Sequence, residues 1–233
     1  GKGGPGILPV EGEPLGAVEV YGNDRLFIAL GDDGALTPLK EAGHPVVSLP
    51  YCGVPQLAGE FARWEFATAV AGHVLGIHPF DQPDVQATKD VTARVLSESS
   101  PLPLTQPLSE LLCSLKAGDY LALLGYLPRN GSTEATLRDV RVRLRDCYHV
   151  ATTVGFGPRL LHSTGQIHKG GPATGAFVQI VREDPVDIQI PGKPYSFSQL
   201  KAAQAQADLE VLLSRGRRVS RVTLAELLAE VGV

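Results

Sequence analysis

Short apolar runs alternate along the chain with stretches of helical periodicity. The runs are bounded by turn residues and fall at 26–30, 46–49, 120–127, 151–156 and 176–181. They are continuous rather than alternating, which is typical of strands buried on both faces of a sheet. We therefore predict a strand at each of them.

Between 57 and 77 the apolar residues follow helical spacing on two sides. One stripe steps by four and three through Leu57, Phe61, Trp64, Thr68, Ala71 and Leu75. The opposite side is largely filled by Phe66, Val70, Val74 and Ile77. This pattern predicts a central, largely buried helix, in which the Thr68 hydroxyl donates to the carbonyl one turn earlier.

Capping signals mark the starts of two further helices. Ser196 with Gln199, and Thr223 with Glu226, fit the capping box, in which each side chain satisfies a free backbone N–H. Helical patterns also cover 84–95, 132–147 and 197–214. This alternation of strands and helices predicts an α/β fold, with a parallel sheet flanked by helices.

No repeat or long linker divides the chain. We therefore predict one domain over 1–233, with 1–20 as an extended linker and 97–107 as the least regular connection. The chain opens on Gly1, contains no Met and begins with a glycine-rich segment unsuited to start a compact domain. We expect a piece of a longer protein, with no signal segment at its start.

Composition narrows the classes of partner. The formal net charge of −4 leaves no basic surplus to neutralise phosphates, so we expect no nucleic-acid partner. No apolar stretch approaches the roughly 20 residues that cross a bilayer, so we expect no membrane partner. Cys52, Cys113 and Cys147 lie far apart. Such a sparse, odd set is typical of a reduced, cytoplasmic protein.

The familiar cofactor and metal motifs are incomplete. Residues 155–160 begin like a dinucleotide fingerprint but lack its third glycine, and Pro158 stands where a helix turn should donate N–H groups. Gly165 and Gly170 have the spacing of a phosphate loop without the Lys and Ser/Thr that should follow. The histidines and cysteines lack the spacing of a zinc site. We therefore expect no cofactor and no metal.

A turn with the sequence Pro-Phe-Asp-Gln-Pro-Asp-Val covers 79–85 and is followed by Lys89. If 84–95 is helical, Gln82 stands just before its first turn, and Lys89 could reach a polar ligand bound near that end. The same residues fit an N-cap loop followed by a solvated lysine. On the residues alone, this second interpretation is favoured.

The segment 162–171 reads His-Ser-Thr-Gly-Gln-Ile-His-Lys-Gly-Gly and precedes a predicted strand. Histidines, hydroxyls and a glutamine on a glycine-rich loop suit a polyhydroxyl or phosphate ligand. A flexible surface turn fits the composition equally well.

Several separated motifs belong together. They are Trp-Glu-Phe-Ala-Thr-Ala at 64–69, the 79–85 turn with Lys89, the 162–172 loop, Pro-Gly-Lys-Pro-Tyr-Ser-Phe at 191–197, and the opening Gly1-Lys2. This set resembles the C-terminal part of glucose-6-phosphate isomerases, most closely the isomerase half of bifunctional transaldolase–isomerase proteins. The likeness runs over most of the chain.

The resemblance implies a sugar-isomerase (SIS)-like three-layer sandwich that interconverts glucose 6-phosphate and fructose 6-phosphate through a cis-enediol. Lys89 stands seven residues after Gln82, as the family's lysine does after its glutamine. It would help to open the sugar ring and steady charge on the ring oxygen, while Gln82 would hold the hexose 6-phosphate by hydrogen bonds. The resemblance also implies a homodimer and an upstream SIS domain as partners.

The family's histidine lies in a Gly-Gln-His setting and comes from the neighbouring subunit. Here Gly165-Gln166-Ile167-His168 carries one more residue and falls after, rather than before, the Phe-Asp-Gln motif. The resemblance points to His168 as catalytic and Gln166 as substrate-binding, with His162 as the alternative histidine.

The family's base for proton transfer is a glutamate just upstream of a Gly-Lys pair. If Gly1-Lys2 is that pair, the glutamate and the main phosphate loops lie before this chain. Proton abstraction beside a carbonyl needs such a positioned acceptor, so we expect half an active site and little or no activity in the isolated chain. The alternative is a non-catalytic sugar-phosphate-binding or dimerisation module.

Overall fold

A computed structural model of the protein describes residues 1–98 and 100–232. Its strands are β1 (Phe27–Leu30), β2 (Val46–Leu49), β3 (Tyr120–Tyr126), β4 (Ala151–Phe156), β5 (Gly175–Val181) and β6 (Arg218–Thr223). Its helices are α1 (Thr37–Glu41), α2 (Leu57–Leu75), α3 (Pro83–Ser97), α4 (Leu108–Cys113), α5 (Gly131–Tyr148), α6 (Gly165–Gly170), α7 (Phe197–Ser214) and α8 (Leu224–Val231). Short 3-10 turns cover Val18–Val20, Gly34–Leu36, Val54–Gln56 and Arg159–His162.

Parallel strands in the order β4-β3-β5-β6 form the larger sheet. β3 lies inside it, and Tyr120 is paired with Ala151 on one side and Gly175 on the other. Every residue of β3 is buried, because both faces of the sheet are covered. The prediction of an α/β fold with a parallel sheet is confirmed.

Alternate residues of β3 enter separate cores on the two faces of this sheet. Leu121 and Leu123 pack in a core with side chains of α4, α5 and α8. Ala122 and Leu124 pack in another with side chains of α7 and the Arg159–His162 turn. Helices therefore flank the sheet on both faces, and the larger sheet and its helices form three layers.

The five predicted runs all contain strands, but β6 is missing from the sequence prediction. Its sequence, Arg-Val-Ser-Arg-Val-Thr, contains only two apolar residues, and its arginines are Arg218 and Arg221. Arg221 Nη1 donates to Gln179 Oε1 at 2.5 Å, and Arg218 Nη2 lies 2.9 Å from a carboxylate oxygen of Asp119. Because β6 is an edge strand whose polar side chains find partners on the same sheet, no continuous apolar run marks it.

A second, two-stranded parallel sheet pairs β1 with β2. One side of it packs in a small core with Tyr21, Leu36 and Leu39. Ile28 and Leu30, on the other side of β1, are exposed. Because the two sheets are separate, the single domain over 1–233 stays a prediction.

The expectation that α2 is central and buried is wrong. Phe66 is 72% exposed and Val74 is 77% exposed, and only Glu60 and Gly72 of this helix are buried. The Thr68 hydroxyl does donate to the Trp64 carbonyl, at 2.7 Å. Helical spacing predicted the helix correctly. Apolar residues on all sides of a helix do not show, however, that other parts of the same chain bury it. Within 1–98 and 100–232, no helix, α2 included, has the length and apolar character to cross a membrane.

The segment 1–20, expected to be an extended linker, contains one 3-10 turn and is anchored to the larger sheet. The Glu13 carboxylate accepts from the backbone N–H of Thr152 at 3.0 Å and lies 3.7 Å from Arg145 Nη1 and 4.0 Å from Arg141 Nη2. These three charged side chains are less than a tenth exposed. Buried charges of opposite sign hold the opening segment against α5 and β4.

Candidate functional site

Gln82 stands immediately before α3, and Lys89 lies almost two turns into it. Pro83 opens the helix, where its missing N–H needs no partner. Gln82 is the N-cap residue, and its exposed side chain makes no capping hydrogen bond. Its carboxamide is thus free for a ligand at the start of the helix.

Lys89 lies on the wall of a cleft of about 230 Å³ between α3 and α7. His162, at the end of the turn after β4, lies on the same cleft. We call it the Lys89 cleft; it is lined by Val85, Thr88, Lys89, Thr92, Ala93, Leu96, Leu161, His162, Tyr195, Leu200 and Gln204. The structure therefore brings together the predicted lysine and the alternative histidine.

The lining of the Lys89 cleft combines polar and apolar groups. Four polar groups line the cleft: the ammonium of Lys89, the imidazole of His162, the phenol of Tyr195 and the carboxamide of Gln204. Leu161 and the other leucines supply apolar surface. A cation and several hydrogen-bonding groups beside an apolar wall suit an anionic ligand that carries hydroxyls.

A second group of contacts, the Asp84 junction, lies at the first turn of α3. The backbone N–H of Asp84 donates to Gln166 Oε1 at 3.0 Å, and Gln166 Nε2 donates to Asp84 Oδ2 at 2.8 Å. Arg215 donates to Asp84 Oδ1 from Nε at 3.0 Å and from Nη2 at 2.6 Å. The opening residues join the junction as well, because Gln166 Nε2 donates to the Gly1 carbonyl at 3.0 Å and Lys2 pairs with Asp81.

Gln166 thus lies at the Asp84 junction and not on the Lys89 cleft. Its side chain is buried and both N–H donors of its amide are used, one by Asp84 and one by Gly1. In this arrangement the Gln166 amide connects α6 to the first turn of α3 and to Gly1.

His168 is 2% exposed and lies within the core beneath the sheet. Its Nδ1 is 3.2 Å from the Tyr120 hydroxyl, and the two rings stack with centroids 5.8 Å apart. Burial, with smaller contributions from Lys169 and Arg217, lowers the pKa of His168 to about 3, and burial also raises the pKa of Tyr120. The structure does not bring His168 to the Lys89 cleft.

The prediction of a loop at 162–171 is wrong over 165–170, which forms α6. Lys169 Nζ pairs with Asp208 Oδ1 at 2.6 Å, and both side chains are 2% exposed. Arg217 donates to the carbonyls of Lys169 and Gly171 at 2.6 and 2.7 Å. Composition left open a ligand-binding loop or a flexible surface turn, but partners far away in sequence bury residues 165–169.

A larger, more open depression of about 510 Å³ lies on α5. Arg138, Asp139, Arg143 and Asp146 border it. Its charges are mixed, and none of the residues predicted for the site lines it. The Lys89 cleft is therefore the better candidate.

Four further residues near the candidate site were not predicted from the sequence: Asp84, Tyr195, Gln204 and Arg215. Asp84 lies in the 79–85 turn with Gln82, and Tyr195 lies in the 191–197 motif next to Ser196. Their places in these two motifs could have been used to predict them. Gln204 and Arg215 carry no such signal, because polar residues along a long helix and after its end are common on protein surfaces. Only the packing of α7 on α3 brings them to the site.

Comparisons with known proteins identify no family. No protein-family model matches the chain, and no curated protein matches it. A crystal structure of a hypothetical protein from Thermus thermophilus is similar at 17% sequence identity, with a TM-score of 0.43. The similarity covers 86% of this chain and 52% of that one, so this chain spans about half of its neighbour's length.

Proposed function

We propose that this chain is the C-terminal part of a glucose-6-phosphate isomerase, as its motifs suggest. The reaction interconverts glucose 6-phosphate and fructose 6-phosphate by moving a proton between C1 and C2 through a cis-enediol. The chain would supply the groups that hold the sugar and open its ring. The base would come from the segment before Gly1.

One observation carries this proposal: the opening Gly1-Lys2 pair lies at the start of α3. Gly1 is held by Gln166, and Lys2 pairs with Asp81, next to Gln82. A residue directly before Gly1 would therefore enter the structure near Gln82. That is where the proposal needs the family's glutamate, so the predicted base and the predicted substrate-binding residue would meet.

The Lys89 cleft supplies the remaining roles. Lys89 would protonate or neutralise the ring oxygen as the sugar opens, because an ammonium can do either beside a developing anion. Of the two histidines left open by the sequence, His162 is the better candidate, because it lines the cleft with Lys89. His168, buried and neutral, would support the fold.

The surface of α2 supports the proposed partners. α2 has 19 residues, and exposure of its apolar side chains to water is unfavourable unless another protein surface covers them. An upstream SIS domain or a second copy would cover it, and we propose that the assembled protein acts in the cytoplasm. The same surface also favours the alternative function, a dimerisation module without catalysis.

Binding of fructose 6-phosphate to this chain, followed by NMR, tests whether the Lys89 cleft holds the sugar; it separates the proposal from a dimerisation module, and turnover separates it from a non-catalytic sugar-phosphate-binding module. We expect signals of Lys89 and His162 to shift when fructose 6-phosphate is added. The Lys89→Ala variant should lose the shifts. Lys116→Ala, which removes an exposed lysine before β3, is the matched control and should keep them. Equal binding by Lys89→Ala and the unchanged chain would contradict a role for this cleft.

A further inference from the structure

Asp84 is a buried acidic residue in the first turn of α3. An acid in a first turn needs only to face the positive end of the helix, and it usually does so from the surface. Asp84 is 3% exposed instead. Both its carboxylate oxygens and its backbone N–H are engaged, with Arg215 on one side and Gln166 on the other.

These partners belong to different elements. Arg215 is the C-cap residue of α7, and its guanidinium meets the carboxylate through two N–H groups, which fixes direction as well as distance. Gln166 belongs to α6, the helix that follows the His162 turn. Asp84 therefore ties the start of α3 to the end of α7 and to α6.

The same elements carry the walls of the candidate site. Lys89 lies on α3 five residues after Asp84, Gln204 lies on α7, and His162 ends the turn before α6. Asp84 itself does not line the Lys89 cleft. Any effect on a ligand must therefore act through the placement of α3.

We infer that Asp84 is a positioning residue, which sets Gln82 and Lys89 relative to His162 through its paired contacts with Gln166 and Arg215. The inference rests on the proposed function for the ligand, a hexose 6-phosphate. The geometry of the junction itself is independent of that proposal. Asp84 would not touch the sugar.

The test compares Asp84→Asn with the unchanged chain. Asparagine keeps the size of the side chain, but it replaces one acceptor oxygen with an N–H group that cannot receive a hydrogen bond from Gln166 or Arg215. In the folded variant we expect the NMR signals of Gln82 and Lys89 to move, and the Kd for fructose 6-phosphate to rise at least tenfold. Asp90→Asn removes an exposed charge from the same helix and should change neither.

Arg215→Lys keeps the test decisive if Asp84→Asn does not fold. The Arg215 side chain is 51% exposed, and lysine keeps its charge while losing the paired N–H groups. A folded variant with displaced Gln82 and Lys89 signals and a higher Kd supports the inference. Unmoved signals with an unchanged Kd would overturn it, even if the variant unfolds at a lower temperature, because that result would show a purely structural contact.

Failure of the proposed function gives a different result. In that case the unchanged chain does not bind fructose 6-phosphate, and the Kd measurement falls away. The signals of Gln82 and Lys89 then decide the inference alone. Displacement in Asp84→Asn or Arg215→Lys supports positioning by Asp84, and wild-type signals in the folded variants overturn it.

Discussion

Burial lowers the pKa of His168 far below the usual range of a histidine. Its pKa of about 3 in the folded protein lies below the ordinary value of 6.5. Between these values the unfolded chain binds the proton and the folded chain does not, so stability is full above pH 6.5 and falls as the pH drops towards 3. The residue therefore contributes to acid sensitivity of the fold.

Replacing His168 tests this directly. We expect the free energy of unfolding of the unchanged chain to fall between pH 6.5 and pH 4, with His168 contributing on the order of 1.4 kcal/mol per pH unit. His168→Gln should be less stable at pH 7 and should show a shallower fall. Urea unfolding at a series of pH values measures both. His162→Gln, at an exposed position, should keep the full slope; an equal slope in His168→Gln would contradict the account.

The Lys169–Asp208 pair predicts a second effect of burial. Removing one member leaves a buried charge without its partner, so Asp208→Ala should cost about 3–5 kcal/mol. The double variant Lys169→Met with Asp208→Leu removes both charges and should recover much of that loss. Urea unfolding of Asp208→Leu, Lys169→Met and the double variant gives the coupling energy. Additive losses would contradict a direct interaction at 2.6 Å.

Residues close in sequence were predictable, and their distant partners were not. Gln82 and Lys89 stand on one short segment, to which the resemblance pointed, whereas the residues alone favoured an N-cap loop followed by a solvated lysine. His168 has the same residue type as His162, only six positions away. One lines a cleft and the other is buried, because the chain turns between them into α6, and composition holds no signal of that turn.

At the scale of single elements, α2 gives the clearest prediction. Because Phe66 and Val74 are exposed, Phe66→Ser and Val74→Ser should each change the stability of the isolated chain by less than about 0.5 kcal/mol. The matched change in a core helix, Leu137→Ala in α5, should cost about 2–5 kcal/mol because that side chain is fully buried. Thermal or urea unfolding compares them. A loss at Phe66 as large as at Leu137 would mean that this chain covers α2 itself.

At the start of α7, the helix cap lies next to a residue that lines the Lys89 cleft. Ser196 and Gln199 form the predicted capping box, and Thr223 and Glu226 form the same device at α8. Ser196→Ala and Thr223→Ala should each cost about 1 kcal/mol of stability. Only Ser196→Ala should also weaken binding of fructose 6-phosphate, since Tyr195, the residue before it, lines the cleft. Equal binding of fructose 6-phosphate by both variants would show that the cap does not affect the site.

Elements with a strong local signal were predicted, and those that depend on tertiary partners were not. The five continuous apolar runs and the two capping boxes are local, and all are present. β6 and α6 are stabilised by pairing at a sheet edge and by Arg217, which a local pattern does not contain. For the same reason the sequence could predict that α2 is a helix but not that it is exposed.

The whole molecule combines a well-packed larger sheet with a less complete opening half. The larger sheet has a core on each face, whereas the β1–β2 sheet leaves Ile28 and Leu30 exposed and α2 has apolar side chains in water. The opening segment is nevertheless fixed, with Glu13 at α5 and Gly1 at the Asp84 junction. The opening half therefore has a fixed position and an exposed apolar surface, the two features that the proposed partner domain would use.

The conversion of fructose 6-phosphate to glucose 6-phosphate tests the central claim most directly. It should be measured for this chain, for an extended chain in which the proposed glutamate-bearing segment precedes Gly1, and for the extended chain with Lys89→Ala. We predict turnover in the extended chain, little or none in this chain, and a loss of roughly 100-fold or more in the Lys89→Ala variant, in the range typical of general acid–base catalysis. Equal turnover by the short and extended chains, or an extended chain unaffected by Lys89→Ala, would contradict the account.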